Sequence, residues 1–482
     1  MSYAKDPAAR YEVSLVDVEY YQKTIKCQWA CPVKTDVSGY VNAVADKDYQ
    51  TGYVMARQPN PFSSVCGRIC VAPCEAACRR SDVDVPIQIR ALKRFLTERH
   101  GVESKGPGSK GIELLLDNAP GNSRTAESVW SLNRTYASLK EANGKKAVAI
   151  VGAGAGGLTA AHDLRLMGYR VAVLESFPVL GGALRTAIPE YRLPREVLDG
   201  EIQDIVSLGI EVRTNVMLER DFTVADLKRE GFNAVLIATG PERSRKHASP
   251  REGVYALGDF GQGTIAVIDT IGAGHRAAIA LDEFLRKKKA RVVKRGWLTP
   301  VEPEDYLSFG YDYLEWPGET PPHNRFETPE TPGCGHELEE PYPELMGRRQ
   351  GARCLKCHIQ TVFHGEKCIQ CNGCVDICPW DCLKMVSLSE IAGDEDMNRV
   401  IEAKYGYDLK TFQERGGDVE FLSQGAVMLK DDSVCTRCAL CYKRCPTGAI
   451  TMELFEFAEE IVFEDAPEAE LATATAVGGS KP

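Results

Sequence analysis

Two cysteine runs with the same spacing constrain the fold of this chain more than any other feature of its sequence. Each run has the form C-x2-C-x2-C-x3-C-P; the first begins at Cys368 and the second at Cys435. Closely spaced thiolates are ligands for soft metals and for iron–sulfur clusters, and a loop of this kind wraps around its cofactor. The chain therefore contains an internal repeat that predicts two inorganic cofactor sites.

The repeat matches the signature of bacterial two-cluster ferredoxins, in which the fourth cysteine of each run binds the cluster of the other run. A zinc ribbon, the alternative, would show two CxxC pairs instead. Segment 379–434, between the runs, is longer than in a minimal ferredoxin and predicts an inserted helix or hairpin. The predicted ligand sets are Cys368, Cys371, Cys374 and Cys445 for one [4Fe–4S] cluster, and Cys435, Cys438, Cys441 and Cys378 for the other.

The distribution of the 18 cysteines indicates a reducing compartment. None lies between Cys78 and Cys334, whereas a disulfide scaffold is usually a short secreted chain. The start MSYAKDPAARYEVSL does not resemble a secretory signal. The net charge of −10 argues against nucleic-acid binding, and no apolar run reaches the about 18 residues of a membrane-spanning helix. We expect a cytoplasmic protein that meets a membrane only through a partner.

A dinucleotide-binding motif lies in the middle of the chain. The apolar run AVAIV at 147–151 predicts a buried strand, and Gly152, Gly154 and Gly157 follow it as GxGxxG. A helix pattern and a second strand, which ends at Glu175, complete the unit. The glycines allow the backbone to approach a pyrophosphate at the helix N-terminus, and the acid accepts hydrogen bonds from a ribose hydroxyl.

The segments after this unit are FPVLGGALRTAIPEYRLPREVLDGEI, NAVLIATG and GVYALGD, in that order. This order resembles the FAD domain of the glutamate synthase small-subunit family, and it is also similar to the N-terminal part of dihydropyrimidine dehydrogenase. In that family the first segment lies along the flavin, the A-T-G turn passes near the adenine, and the Asp of the G-D pair holds the ribityl chain. The resemblance implies that FAD is bound by Gly181, Gly182, Leu184, Arg192, Thr239, Gly240 and Asp259.

The chain departs from that family in two places. The usual G-P-A-G-L is Ala155-Gly156-Gly157-Leu158 here, which keeps the residues small. More importantly, family members insert a nicotinamide-binding unit between the A-T-G turn and the G-D pair, and here only 17 residues separate Gly240 from Gly258. A second fingerprint at 261–266 is the alternative, but no strand and acid follow it. We therefore expect no NAD(P)H domain.

The N-terminal cysteines resemble the helical iron–sulfur domain of the same family. That resemblance implies one [4Fe–4S] cluster with ligands from Cys31, Cys66, Cys70 and Cys74. Members with two clusters have a further C-x2-C before the position of Cys27, and this chain lacks it. A second cluster would have only Cys27 and Cys78 and would need unusual ligands. The nearby arginines either raise a cluster potential or are surface residues; they are Arg68, Arg79 and Arg80.

Four cysteines near the C-terminal repeat remain unassigned, and two of them form a CxxC pair. They predict either a further cluster or zinc site, or unligated thiols; they are Cys334, Cys354, Cys357 and Cys382.

The predicted fold class is multidomain α/β, with iron–sulfur domains on both sides of one Rossmann-like domain. The predicted parts are a helical iron–sulfur domain at 1–100, a linker at 101–145 with a helix around 126–142, an FAD domain at 146–290, an extended Pro/Glu-rich linker at 291–353, a 2[4Fe–4S] ferredoxin domain at 354–457 and a disordered tail at 458–482.

The predicted cofactor sites indicate a subunit of an oxidoreductase. Its clusters would relay electrons between FAD and a partner subunit or a carrier such as a ferredoxin. FAD exchanges electrons in pairs and each cluster carries one, so the combination suits electron redistribution. One alternative is a self-contained flavin oxidoreductase acting on a small substrate or quinone. Another is a non-catalytic assembly scaffold with structural clusters.

Overall fold

The computed structural model describes residues 11–104, 126–127, 146–240, 252–260, 266–307 and 337–465. Contacts within the chain divide it into two compact units. The unit that we call the repeat unit comprises Met1–Ile25, Trp297–Asp312 and Leu355–Phe455. The unit that we call the Rossmann unit comprises Lys26–Gly296, Tyr313–Cys354 and Glu456–Pro482.

The elements of the first half of the chain are α1 Val18–Thr24, α2 Lys26–Ala30, α3 Val37–Ala45, α4 Tyr49–Arg57, α5 Ser63–Ile69, α6 Pro73–Ala76, α7 Ile89–His100, β1 Ala126–Glu127, β2 Ala147–Val151, α8 Ala155–Leu166, β3 Arg170–Leu174, α9 Ala183–Thr186, α10 Arg195–Val206, β4 Glu211–Arg213, α11 Val224–Arg229 and β5 Ala234–Ile237. Those of the second half are β6 Val254–Ala256, α12 Val267–Arg286, β7 Lys288–Pro300, α13 Pro303–Tyr306, α14 Glu344–Ala352, β8 Ile359–Phe363, α15 Gly373–Asp376, β9 Leu383–Ser387, α16 Gly393–Tyr405, α17 Leu409–Glu414, α18 Val419–Gln424, β10 Ala426–Lys430, α19 Leu440–Arg444 and β11 Ile450–Asp465.

A five-stranded parallel sheet with strand order β4-β3-β2-β5-β6 forms the centre of the Rossmann unit. In the central strand β2, Val151 lies opposite Leu174 of β3 and Ile237 of β5. Every residue of β2 is buried, because parallel strands of this kind are covered on both faces. That burial explains why β2 is a continuous apolar run. The predicted α/β fold class is confirmed.

Helices α8 and α12 approach each other closely at two glycines. A Cβ atom on Gly274 of α12 would lie 2.6 Å from the carbonyl oxygen of Gly156 on α8. The distance between packed helices depends on the side chains at their contact, so these glycines permit the short approach. The first turn of α8, which follows the glycine-rich loop, is thereby held against α12.

Helices α3, α4, α6 and α7 contribute side chains to an apolar core, which we call the helical core; its members include Val44, Leu92, Phe95 and Cys78. Helix α14, from much later in the chain, packs against it. A Cβ atom on Gly347 of α14 would lie 2.9 Å from the Phe95 ring. The helical core is therefore completed by a segment outside the N-terminal hundred residues.

The described part of 291–353 differs from the extended linker that its composition predicts. It contains most of β7 together with α13 and α14. Ion pairs hold the segment before α14 against α7: Arg90 Nη1 lies 2.8 Å from Glu339 Oε2, and Arg94 Nη2 lies 3.0 Å from Glu337 Oε2. Because these contacts are tertiary, the local Pro and Glu content does not reveal them.

In the repeat unit, β9 and β10 form an antiparallel pair in which Leu383 lies opposite Lys430. Strand β8 pairs in the same sense with the start of β11, and Ile450 lies opposite Phe363. Segment 379–434 contains both of the predicted kinds of insertion, since α16, α17 and α18 lie between β9 and β10.

Two predicted boundaries also differ from the structure. Strand β11 continues to Asp465, eight residues into the predicted tail at 458–482. Residues Ala126 and Glu127 begin a predicted helix but form strand β1, which pairs in parallel with β11. The rest of that helix, Cys334 and the fingerprint at 261–265 lie outside the described residues. Within the described part of the chain, no helix combines the length and apolar character needed to cross a membrane.

Candidate cofactor sites

Two glycines of the central motif are required by the packing of the protein itself. Gly152 has a φ of +111°, and a Cβ atom there would lie 2.5 Å from the carbonyl oxygen of Ala238. A Cβ atom on Gly157 would lie 2.1 Å from the carbonyl oxygen of Gly152. Any side chain at either position would collide with backbone, so these glycines set the shape of the loop.

The third glycine of the motif is open on its side-chain face. A Cβ atom on Gly154 would meet no heavy atom of the described residues within 4 Å. Gly154 is the N-cap of α8, and no side chain caps that helix. The loop from Gly181 to Gly182 lies beside it, since a Cβ atom on Gly182 would be 2.9 Å from Gly154 Cα. A pyrophosphate binds where the amides at the start of a helix are free and no side chain blocks its approach, and both conditions are met at Gly154.

Glu175 is 6% exposed at the end of β3, and its carboxylate supports the glycine-rich loop. It accepts hydrogen bonds from the amide of Ala153 at 2.8 Å and from the amide of Phe177 at 3.0 Å. The Ser176 hydroxyl donates a third at 3.0 Å. A carboxylate has about four acceptor positions, so the contact with a ribose hydroxyl, which stays a prediction, would use the remaining one.

The other predicted FAD residues lie in two environments. The hydroxyl oxygen of Thr239 is buried and has no hydrogen-bond partner among the described residues. Buried polar atoms are normally satisfied, so this hydroxyl fits a bound nucleotide. Leu184 is buried, whereas Arg192 and Asp259 are exposed and free to turn toward a ligand.

In the repeat unit, the first predicted ligand set lines a cavity of about 120 Å³. Apolar side chains share its wall, among them Ile369, Met385 and Met428. An apolar wall limits the access of water and so affects the potential of a bound cluster. The cysteines that the structure brings together here are Cys368, Cys371, Cys374 and Cys445.

The second predicted ligand set lines a smaller cavity of about 20 Å³ together with Trp380 and Leu383. A fifth cysteine, Cys382, also lies there, and its Sγ atom is 3.3 Å from that of Cys378. The structure thus places Cys382, one of the four unassigned cysteines, beside the second predicted ligand set. The predicted ligands in this wall are Cys378, Cys435, Cys438 and Cys441.

Cys382 is hydrogen-bonded to two predicted ligands, Cys378 and Cys435. Its hydrogen bond lowers the pKa of Cys378 to about 6 and lowers the pKa of Cys435 well below its usual value. The same bonds raise the pKa of Cys382 itself. Burial raises the pKa values of the other two predicted ligands, Cys438 and Cys441, so the hydrogen bonds of Cys382 favour the thiolate form at only two of the four positions.

The two cysteine runs share an unusual backbone geometry. Gln370 and Asn372 in the first run have φ values of +57° and +61°. The equivalent residues of the second run, Arg437 and Ala439, have φ values of +61° and +60°. Left-handed residues of this kind turn successive amides toward one point and form a concave binding site for anions, as in many iron–sulfur proteins. The two runs therefore share their backbone conformation as well as their sequence spacing.

The N-terminal ligand set is strongly buried, with Cys66 only 1% exposed. Cys66 and Cys70 are hydrogen-bonded to each other, and this contact lowers the pKa of Cys70 to about 7. The amide of Ala72, a residue with a φ of +51°, donates to Cys70 Sγ at 3.4 Å. Burial raises the pKa of Cys74, with a further contribution from Cys31, so these four thiols interact electrostatically.

Lys93 is a residue of this site that the cysteine pattern does not reveal. Its side chain is 7% exposed. The hydrogen bond to Cys70 raises the pKa of Cys66 and burial raises that of Cys74, and the charge of Lys93 opposes both increases. At Cys70 the same charge adds to the lowering of the pKa by the hydrogen bond to Cys66. A buried ammonium group that interacts with three of these thiols would compensate for the negative charge of a cluster. The sequence feature that points to Lys93 is its position in IQIRALKRF, next to Leu92 on the apolar face of α7.

The three N-terminal arginines are buried, which excludes the surface alternative. Their exposed fractions are 3% for Arg68, 4% for Arg79 and 1% for Arg80. Arg68 Nη1 lies 2.9 Å from Glu103 Oε1, and its Nε lies 2.7 Å from Glu337 Oε1. The charge of Arg68 is therefore balanced by carboxylates.

Comparisons with known proteins agree with this arrangement of domains. Residues 20–104 match the family model described as dihydropyrimidine dehydrogenase domain II, 4Fe-4S cluster. Residues 150–203 match an NAD(P)-binding Rossmann-like domain, and residues 367–449 match a 4Fe-4S dicluster domain. The chain thus has iron–sulfur domains at both ends of a Rossmann-like domain, and the predicted resemblance to dihydropyrimidine dehydrogenase is confirmed.

Three curated relatives illustrate the likeness. The chain is 40% identical over 232 residues to the NADP(+)-dependent formate dehydrogenase subunit beta of Moorella thermoacetica, covering 48% of this chain and 31% of that protein. It is 31% identical over 224 residues to the NADPH-Fe(3+) oxidoreductase subunit beta of Geobacter sulfurreducens, covering 46% and 29%. It is 32% identical over 219 residues to the NAD-dependent dihydropyrimidine dehydrogenase subunit PreT of Escherichia coli, covering 44% and 45%. The aligned part therefore spans less than half of each relative.

Proposed function

We propose that this chain is an FAD- and [4Fe–4S]-containing electron-transfer subunit of a multi-subunit oxidoreductase. The observation that carries the proposal is the occurrence in one chain of an open glycine-rich loop at Gly154 and of two cavities lined by predicted cluster ligands. The relatives carry subunit names of oxidoreductases, which supports a role inside a complex.

The predicted FAD residues have separable tasks. Amides at the start of α8 would hold the pyrophosphate, and Glu175 fixes the loop through the Ala153 amide. The buried Thr239 hydroxyl would donate to the nucleotide, and Asp259 would hold the ribityl chain. FAD, when bound, exchanges two electrons and passes them on singly, whereas each cluster carries one. The polypeptide supplies orientation, hydrogen bonds and exclusion of water.

We further propose that the partner subunits supply the substrate site, and that a ferredoxin or similar carrier exchanges electrons with the clusters. The short connection between Gly240 and Gly258 supports this view, because a nicotinamide-binding unit of about a hundred residues does not fit there. None of the described cysteines forms a disulfide, which is consistent with a reducing compartment such as the cytoplasm.

A second candidate is that the single Rossmann-like domain binds NAD(P)H instead of FAD. The description of the matched family model, which names NAD(P), favours it. The two candidates differ in what the purified chain contains. A released flavin, identified by its absorbance and mass, supports the first, whereas a colourless nucleotide after removal of the clusters supports the second.

Anaerobic titration with NADH and NADPH tests the electron-transfer role. If the chain lacks its own nicotinamide site, neither nucleotide will bleach the flavin when the chain is alone, and bleaching will need the native partner subunits. Rapid stoichiometric bleaching of the isolated chain would refute the proposal. Reduction by a small substrate or quinone without any partner would instead favour the self-contained oxidoreductase.

A further inference from the structure

Two N-terminal cysteines are left over once the predicted ligands of the first cluster are set aside. Cys27 lies on α2, and Cys78 lies just after α6. Cys78 is a member of the helical core, and Cys27 packs against the same core. Two thiolates are too few for a [4Fe–4S] cluster, which is normally bound by four, so further ligands must come from elsewhere.

Helix α14 brings a third thiol to this core. Cys354 follows the end of α14, and its amide donates to the carbonyl oxygen of Gly351 at 3.1 Å. Gly351 itself is pressed against α3, since a Cβ atom there would lie 2.7 Å from the carbonyl oxygen of Val41. Cys354 packs against the helical core, as Cys27 does. The three thiols therefore belong to one compact region although they are distant in sequence.

Buried arginines connect the backbone before Cys354 with the backbone after Cys78. Arg80 Nη1 donates to the carbonyl oxygen of Arg353 at 3.2 Å. Both guanidinium groups bind the same carboxylate, because Arg80 Nε and Arg353 Nη2 lie 2.7 Å and 2.8 Å from Asp84 Oδ1. These contacts fix the residue before Cys354 against the segment that begins at Cys78.

Arg353 also carries a buried donor that indicates a ligand. It is 1% exposed, and its Nε atom has no hydrogen-bond partner among the described residues. Its guanidinium interacts electrostatically with Cys78. A thiolate-ligated cluster is anionic, and its sulfurs accept hydrogen bonds from neighbouring donors. A cluster at Cys78 would thus provide both the negative charge and the acceptor that Arg353 lacks.

We propose that Cys27, Cys78 and Cys354 ligate a [4Fe–4S] cluster in addition to the one predicted at the neighbouring N-terminal cysteines. The downstream thiol of Cys354 takes the place of one cysteine of the C-x2-C pair that the sequence lacks before Cys27. The site is independent of the proposed function, since its occupancy does not depend on electron flow to a partner.

The test is an anaerobic count of iron and acid-labile sulfide in the full-length chain, with electron paramagnetic resonance (EPR) spin quantitation after dithionite reduction. We expect about 16 irons per chain, four for each of four clusters. C27S, C78S and C354S should each lose about four irons and four sulfides. The matched control is A352S, which adds a serine at the end of α14 and keeps every thiol.

The flavin content and the unfolding temperature of each variant distinguish the loss of a cluster ligand from the loss of the fold. If a cysteine variant keeps its flavin and its unfolding temperature but loses about four irons, the thiol is a ligand. If wild type and all the variants contain about 12 irons with the same EPR signals, the proposal is wrong. One zinc per chain that is lost in C27S, C78S and C354S would also overturn the cluster assignment. Should C354S fail to fold, C27S on α2 decides alone.

Discussion

Glu201 accepts a 2.6 Å hydrogen bond from the backbone amide of Ser64 and so joins α10 of the Rossmann-like domain to the first turn of α5, the helix that carries Cys66. A second bond at 3.0 Å comes from the amide of Val65. The carboxyl group thus satisfies two amides that a helix leaves unpaired at its start. A dinucleotide domain and a predicted cluster ligand are held together at this point.

The ionisation of Glu201 should make the free energy of unfolding decrease as pH rises. The variant E201Q should lack this pH dependence. Burial raises the pKa of Glu201 from 4.5 to about 7, against the opposing effects of the Ser64 and Val65 amides and Arg57. Between these pKa values the folded protein binds more protons than the unfolded chain, so stability falls as pH rises through that interval, by up to about 3 kcal/mol.

Anaerobic thermal unfolding between about pH 5.5 and 8 measures this effect. Glutamine keeps an acceptor for the amides but does not ionise. The control is E196Q, since Glu196 is an exposed residue on the same helix. A pH dependence that is equal in wild type and E201Q would contradict the prediction.

Substitutions of two glycines in the central loop should have different effects, one on folding and the other on cofactor binding. G157A places a Cβ atom 2.1 Å from the carbonyl oxygen of Gly152, so it should destabilise the protein by several kcal/mol. G154A meets no described atom within 4 Å and has an ordinary backbone conformation with φ of −78°. It should fold normally yet lose most of its flavin, because its methyl group occupies the space of the pyrophosphate.

Flavin content after desalting and the unfolding temperature of the cofactor-free protein report the two effects. An unaltered flavin content in G154A would show that the dinucleotide does not pass over this face of the loop.

The cysteine runs and the AVAIV strand could be predicted from sequence because their signals are local. A ligand loop needs its cysteines at short intervals, and the structure brings Cys368 and Cys445 to one cavity wall as the ferredoxin pattern predicts. The apolar run at 147–151 similarly predicts its own burial, since all five residues lie inside the sheet.

The position of α14 could not be predicted in this way. The segment ELMGRRQGA has few apolar residues, and its helix is stabilised where Gly347 and Gly351 allow close contact with the helical core. Such tertiary contacts override local composition. The placement of Cys382 was missed for a related reason, because its neighbour Cys435 belongs to the other repeat and only the fold brings the two together.

C382A should lower the reduction potential of one cluster in the repeat unit without removing it. The sulfurs of Cys382 and Cys378 lie 3.3 Å apart, and a Cys378 thiolate bound to a cluster can only accept the hydrogen bond from the Cys382 thiol. Hydrogen bonds to ligand sulfurs favour the reduced, more negative cluster. A neutral hydrogen bond contributes about 1 kcal/mol, which corresponds to about 40 mV for one electron. A redox titration followed by EPR measures the shift. Loss of iron in C382A would mean instead that Cys382 is itself a ligand.

The fourth cysteine of each run is predicted to bind the cluster of the other run. This arrangement predicts which cysteine variants should lose the same cluster. Cys445 belongs to the second run in sequence but lies in the cavity of Cys371, whereas Cys441 lies in the other cavity. C445S and C371S should therefore lose the same EPR signal and about four irons each, and C441S should lose the other signal. The control T447A keeps all the thiols beside Cys445. If C445S instead resembled C441S, each run would hold its own cluster, and the ligand sets proposed for both cavities would have to be exchanged.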